Sequence, residues 1–213
     1  CLHLVKDKNT LKLLIDNDGD INVKNNNGLT CLHSVCDNNV LNLKMIKLLI
    51  ECGIDINEKT NKGNTCLHII CYKKVIRPKI VNIIELLIEN GININERNNI
   101  GNTCLNLICK ESRNFDVIKL LVKNGADVNI SNNYFNSPLH NIMYDDSNKQ
   151  IIKFLIDHDA NIFKINNKEI NILDIAKDNT EINYFVRRNY QEKILNNLLN
   201  KDIVNLILNY ICD

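Results

Sequence analysis

The stretch Gly63–Cys71, GNTCLHIIC, returns in altered form as GLTCLHSVC at Gly28–Cys36 and GNTCLNLIC at Gly101–Cys109. This recurrence restricts the fold more than any other feature. Aligned on the residue before its leucine, the series runs Cys1, Cys31, Cys66, Cys104, Pro138 and Ile172, at intervals of 30, 35, 38, 34 and 34. A second mark follows in each interval: DNDGDIN, ECGIDIN, ENGININ, KNGADVN and DHDANIF. Four of these carry a glycine (Gly19, Gly53, Gly91, Gly125), with Asp159 in the fifth place. Between the marks, segments such as IIELLIENG and VIKLLVKNG are apolar at i, i+3, i+4 and i+7, the period of an amphipathic helix. Such a period predicts stacked units, none of which buries its apolar faces alone.

Each unit reads the same way. Thr30, Thr65, Thr103 or Ser137 caps a short first helix by accepting a backbone N–H. A proline or small residue opens that helix. A second, more apolar helix follows and ends at glycine, which takes the left-handed conformation at low cost. A short segment then leads to a tip rich in Asn, Lys and Gly, suited to a turn.

The paired cysteines and histidine of GNTCLHIIC raise three alternatives: a metal knuckle, a nucleophile with its base, or structure. A zinc site needs about four converging ligands, and each unit offers only Cys-x-His-x-x-Cys. Cys and His two apart on a helix diverge by about 200°. The structural reading is therefore preferred, and neither metal nor catalytic residues are assigned. His158 falls outside the motif, at a helix end where a cation suits the dipole. No phosphate-binding glycine loop, dinucleotide fingerprint or HExxH pair is present.

Composition narrows the setting. The net charge of +1 gives no bulk attraction to nucleic acid or anionic membrane. No apolar run reaches the ~18 residues of a membrane span. Nine cysteines without a secretory signal suggest reduced thiols, and hence a cytoplasmic or nuclear setting. The chain opens at Cys1 and not at Met, which reads as a fragment. It carries 40 asparagines, yet apolar periodicity continues throughout, so a prion-like tract is a poor description.

These motifs resemble those of ankyrin repeat proteins. The T-P-L-H signature appears as TCLH at Thr30–His33 and Thr65–His68, TCLN at Thr103–Asn106 and SPLH at Ser137–His140. The G-A-D-V-N mark is literal at Gly125–Asn129. The resemblance implies an all-α solenoid of helix-turn-helix units with short hairpin-like tips. It covers residues 1–189, in units 1–26, 27–61, 62–99, 100–133, 134–167 and 168–189, the first truncated and the last degenerate. It also implies that His3, His33, His68 and His140 tie neighbouring units together. Cys36, Cys71 and Cys109 stand where the family prefers a small buried alanine. Asn129 matches the family position that can be hydroxylated. The sequence departs from the family in lacking Gly-His between the helices, in an insertion YKKVIRPKIVN with Pro78 starting a helix, and in Lys6 at a buried position.

The function implied by the resemblance is protein binding on a concave face, without enzymatic activity, cofactor, nucleic acid or membrane. Register and tip placement nominate Ile69, Tyr72, Leu107, Lys110, Tyr134, Phe135 and Tyr144 as partner-binding residues. Ile69, Tyr72 and Leu107 are expected to form an exposed apolar strip. Residues 190–213 form an amphipathic pattern, expected to break near Asn200–Lys201 and to cap the last unit. An alternative comes from Leu199, Asp202, Ile203, Ile207 and Ile211, which follow the spacing that opens an F-box, with Asn200 replacing proline. F-box-like tails follow ankyrin stacks in poxvirus proteins that act on their hosts. There they recruit a cullin-type ubiquitin ligase through its adaptor, which would make the stack a substrate receptor.

Overall fold

A computed structural model describes residue 13 and residues 19–37, 42–73, 79–143, 148–177 and 179–211; the side chains of residues 79 and 199–211 are outside that description. Cys1, His3, Lys6, Pro78 and Tyr144 therefore lie outside the described residues. So do the F-box-spaced side chains of Leu199, Asp202, Ile203, Ile207 and Ile211. Among the described residues there are ten helices and no strand. We label them α1 (Cys31–Asp37), α2 (Leu43–Glu51), α3 (Cys66–Cys71), α4 (Lys79–Glu89), α5 (Cys104–Glu111), α6 (Phe115–Lys123), α7 (Pro138–Ile142), α8 (Lys149–Asp157), α9 (Ile172–Ile175) and α10 (Thr180–Ile211).

The first helices α1, α3, α5 and α7 pack in series, and the second helices α2, α4 and α6 form a parallel row behind them. One continuous core lies between the rows. The leucine of each motif is its anchor: Leu32, Leu67, Leu105 and Leu139 are at most 1% exposed. Ile46, Ile84, Ile118 and Ile152 oppose them from the second helices, each fully buried.

The caps form as the sequence predicts. Thr65, Thr103 and Ser137 hold extended backbone geometry and close a reciprocal box with the residue three further on. The second helices end in paired bonds across the glycine. Ile92 N–H donates to the Leu87 carbonyl and Gly91 N–H to the Ile88 carbonyl, which satisfies the orphan acceptors of α4. Asp159 takes the same left-handed place after α8, at φ 70°. Between α5 and α6, where the family Gly-His is missing, Arg113 adopts φ 51° and donates its N–H to the Ile108 carbonyl.

The C-terminal reading needs correction. No break occurs near Asn200–Lys201: α10 is one helix of 32 residues, which begins inside the sixth unit and runs through the expected boundary at 190. Its first part performs the capping. Ile182 and Val186 are buried, and Lys193 donates to the Ile156 carbonyl and to Asp159, closing the end of α8. In the turn and a half after Lys193, Ile194, Leu195 and Leu198 are exposed.

Every tip turns by one rule. A side-chain oxygen, from Asn25, Thr60, Asn98, Asn132 or Asn166, accepts the backbone N–H groups two and four residues on. The residue three on has positive φ: Gly28, Gly63 and Gly101, then Phe135 at 59° and Glu169 at 58°. Glycine is needed twice over at position 101, because a Cβ there would stand 2.2 Å from Asn133 Oδ1 and 2.8 Å from Asn133 N. Phe135 bears the conformational cost of the left-handed region, about 1–2 kcal/mol. Urea unfolding should therefore separate two variants: Gly101→Ala loses about 2 kcal/mol, while Phe135→Gly gains up to about 1 kcal/mol. Equal, negligible shifts would contradict the tip geometry.

Candidate functional site

The chemistry-bearing residues of the repeat face inward and are already engaged. His33 Nδ1 accepts from Thr30 N–H at 3.1 Å, and its Nε2 lies 3.2 Å from the Asn64 carbonyl of the next unit. His68 repeats this with Thr65 and Asn102, and His140 with Ser137 and Ile170. A backbone N–H can only donate, so Nδ1 is unprotonated, and Nε2 carries the hydrogen given to the carbonyl. Asn106 does the same work without an imidazole: its Oδ1 accepts from Thr103 N–H, and its Nδ2 donates to the Ile130 carbonyl. The shorter amide reaches the carbonyl of its own unit.

The cysteines are structural for an equally local reason. Cys31, Cys66 and Cys104 each donate a thiol hydrogen to a carbonyl ten residues earlier, those of Ile21, Ile56 and Ile94. Cys36 and Cys71 are fully buried and hydrogen-bond to Cys66 and Cys104 of the following units. Burial pushes the Cys31 thiol up to about 11 and holds Cys109 far above its ordinary value. Burial of this kind disfavours the thiolate at Cys31 and Cys109, the form that nucleophilic attack and metal ligation require. Among the described residues no group of three or more His, Cys, Asp or Glu is placed to hold a metal ion. None of the helices described is long and apolar enough to cross a membrane.

A different surface remains open. Between the tips and the first helices of the second to fourth units lies a groove of about 730 Å³. Ile69, Tyr72, Leu107 and Lys110 line it from the helix side. Lys62, Ile100 and the Asn64 and Asn102 side chains line it from the tip side.

The expected apolar strip is narrower than register suggested. Tyr72 is 62% exposed, Ile69 is partly buried, and Leu107 is 5% exposed and forms part of the floor. The position four after each cap lies against the neighbouring first helix, as the Asn141 Nδ2 bond to the Asn106 carbonyl illustrates. The position seven after the cap clears it, so Tyr72 and Lys110 project. Tyr134 and Phe135 are both more than half exposed on the next tip, outside the groove lining. The sequence placed Lys62 and Ile100 in tips without marking them. Asn64 and Asn102 were hidden among many asparagines, although their place directly before a cap was a usable signal.

A third layer of asparagines holds the units in register. Asn57 Nδ2 donates to the Gly91 carbonyl while its Oδ1 accepts from Asn93 N–H. Asn95 bridges Gly125 and Asp127 in the same way, and Asn129 bridges Asp159 and Asn161. Asn129, the candidate hydroxylation position, is thus a rung of this ladder. The ladder ends where Phe163 replaces asparagine and meets Tyr190 of α10 edge-on, with ring centroids 5.4 Å apart.

The histidine geometry carries a pH dependence. Burial holds His33, His68 and His140 below the ordinary value, and Lys24, Lys59 and Lys164 add in the same direction. The unfolded chain takes up protons near pH 6.5 while the folded chain does not, so stability is full above that pH and falls as pH drops toward the folded values. Melts between pH 8 and 5 should show this loss, and His68→Asn, the solution already present at Asn106, should remove about one proton from the slope. A flat profile, or one rising toward acid, would contradict the assigned tautomers.

Comparison with known proteins gives one family: the model for ankyrin repeats (3 copies) matches residues 2–98, 53–132 and 75–166. No curated protein matches the chain.

Proposed function

The chain belongs to the ankyrin repeat family, and from that premise we propose that its concave face is the binding surface of a non-enzymatic protein-interaction module. Ankyrin repeats generally mediate protein–protein interaction, and a stack of this kind can serve unrelated targets. One observation carries the reading for this chain. Ile69, Tyr72, Leu107 and Lys110, from two successive first helices, line a single groove with the tips opposite them. Tyr72 supplies an exposed aromatic anchor, the residue class that dominates interface energetics. Tyr134 and Phe135 extend the candidate surface to the next tip. The strain at Phe135 fits this role, since left-handed non-glycine residues gather where function holds them.

A second reading rests on the far end of the molecule. Between Lys193 and Leu198 the helix leaves Ile194, Leu195 and Leu198 exposed. An apolar helix face of this kind suits docking to another helical protein. Under this reading the stack selects a target and the tail engages a cullin-ligase adaptor.

Affinity capture followed by mass spectrometry tests both. The intact chain should retain at least one protein that a Tyr72→Ala, Tyr134→Ala, Phe135→Ala variant of equal thermal stability loses. Identical catches would remove this face from the function. A cullin adaptor retained by both forms, and released by Leu195→Asp, would establish the second reading; its absence would dismiss it.

A further inference from the structure

The tip hydrogen bonds fix which way two asparagine amides face. Asn98 Oδ1 accepts the N–H groups of Ile100 and Asn102, so the other end of that side chain must be its donor. That Nδ2 reaches Asn64 at 2.9 Å, and Asn64 must therefore present its oxygen. The same logic runs one unit on. Asn132 Oδ1 accepts from Tyr134 and Asn136, and its Nδ2 donates to Asn102 Oδ1 at 2.9 Å. Asn64 and Asn102 are thus each left with an amide NH₂ that has no partner among the described residues. Both residues line the groove, and neither NH₂ is among the buried atoms left without a partner, so each keeps contact with solvent. Asn102 itself is only 8% exposed, so its donor is held at the base of the groove by a side chain with little freedom to turn away.

Two fixed donors, one unit apart, call for two acceptors at the same spacing. Packed helices stand about 10 Å apart. A polyproline-II chain advances about 3.1 Å per residue and repeats its orientation every third residue, so its carbonyls at i and i+3 match that separation and point the same way. A partner helix does not fit, because its carbonyls are consumed within the helix. Tyr72 supplies the aromatic wall on which such extended segments dock. The charge at the rim is also one-sided. Lys62 is exposed and makes no ion pair among the described residues, and Lys110 is 63% exposed with only a 3.7 Å approach to Glu111. Asp37 is the sole acidic residue of the lining, in the neighbouring unit.

Resting on the concave-face reading above, we propose that the groove takes an extended, polyproline-II-like peptide segment bearing an acidic side chain. Its backbone carbonyls accept from Asn64 and Asn102, and its carboxylate meets Lys62.

Random twelve-residue peptides displayed on phage, selected on the full chain and retitrated by fluorescence anisotropy, test this. The expected selection is proline-containing and lacks helical periodicity, with at least one Asp or Glu. Asn102→Asp is the decisive variant: it keeps the oxygen that Asn132 needs and replaces the free donor with an acceptor. It should weaken the selected peptides at least about tenfold, and Lys62→Gln severalfold with a reduced salt dependence. Should Asn102→Asp fail to melt like the wild type, Asn64→Asp and Lys62→Gln carry the same comparison. Amphipathic helical peptides, indifference to all three substitutions, or no enrichment at all would overturn the proposal. Peptides indifferent to these three yet lost on Tyr72→Ala would leave the concave-face reading standing. Peptides indifferent to Tyr72→Ala as well would sink both.

Discussion

From the second unit to the fifth, each unit is tied to the next by an asparagine that reads both a carbonyl and an N–H across the boundary. Asn57, Asn95 and Asn129 take the carbonyl left open at the end of a second helix and the N–H two residues beyond it. A single amide satisfies two backbone groups that would otherwise need water, and its two ends cannot be exchanged without losing both bonds. The interaction is therefore geometric as much as energetic, since each bond contributes only about 1 kcal/mol net. It sets the register at which leucine anchors such as Leu67 and Leu105 interleave, and it aligns the tips that wall the groove. Because contacts run only between neighbours, the last unit needs a different ending. Phe163 gives up the ladder for a ring contact with Tyr190, and Lys193 closes the end of α8.

The polar groups of the repeat motif are spent on architecture. The imidazoles of His33, His68 and His140 are neutral bridges, and the thiols of Cys31, Cys66 and Cys104 are donors to carbonyls. The motif histidines and these three thiols thus each already hold a hydrogen bond within the stack. Exposure lies instead with residues between the motifs, such as Tyr72 seven places after a cap and Lys62 of a tip, both of which line the groove. The scaffold repeats, whereas the place seven after a cap varies, as Asp37, Tyr72, Lys110 and Tyr144, and the tip place of Gly101 becomes Phe135.

The fold was legible because period, caps and glycine stops are local signals that agree with one another. The site was legible only in part. The seventh position after a cap was correctly read as outward at Tyr72 and Lys110. The fourth was not, because Leu107 is covered by a helix from another unit, a contact that register within one helix does not encode. The donor direction of Asn64 depends on Asn98, 34 residues away, and has no local signature. The tail misled for a related reason. Asn200 and Lys201 look like a break in an isolated amphipathic pattern, yet the backbone continues as one helix through them.

The asparagine bridge is tested most directly by amide hydrogen exchange at the N–H groups it accepts. These are Asn93, Asp127 and Asn161, all on surface segments outside any helix. If the bridge sets the register, these three amides exchange orders of magnitude more slowly than unstructured ones, approaching the helix ends they join. Exchange at free-chain rates at all three would contradict the account, since the stack would then be held by its apolar core alone.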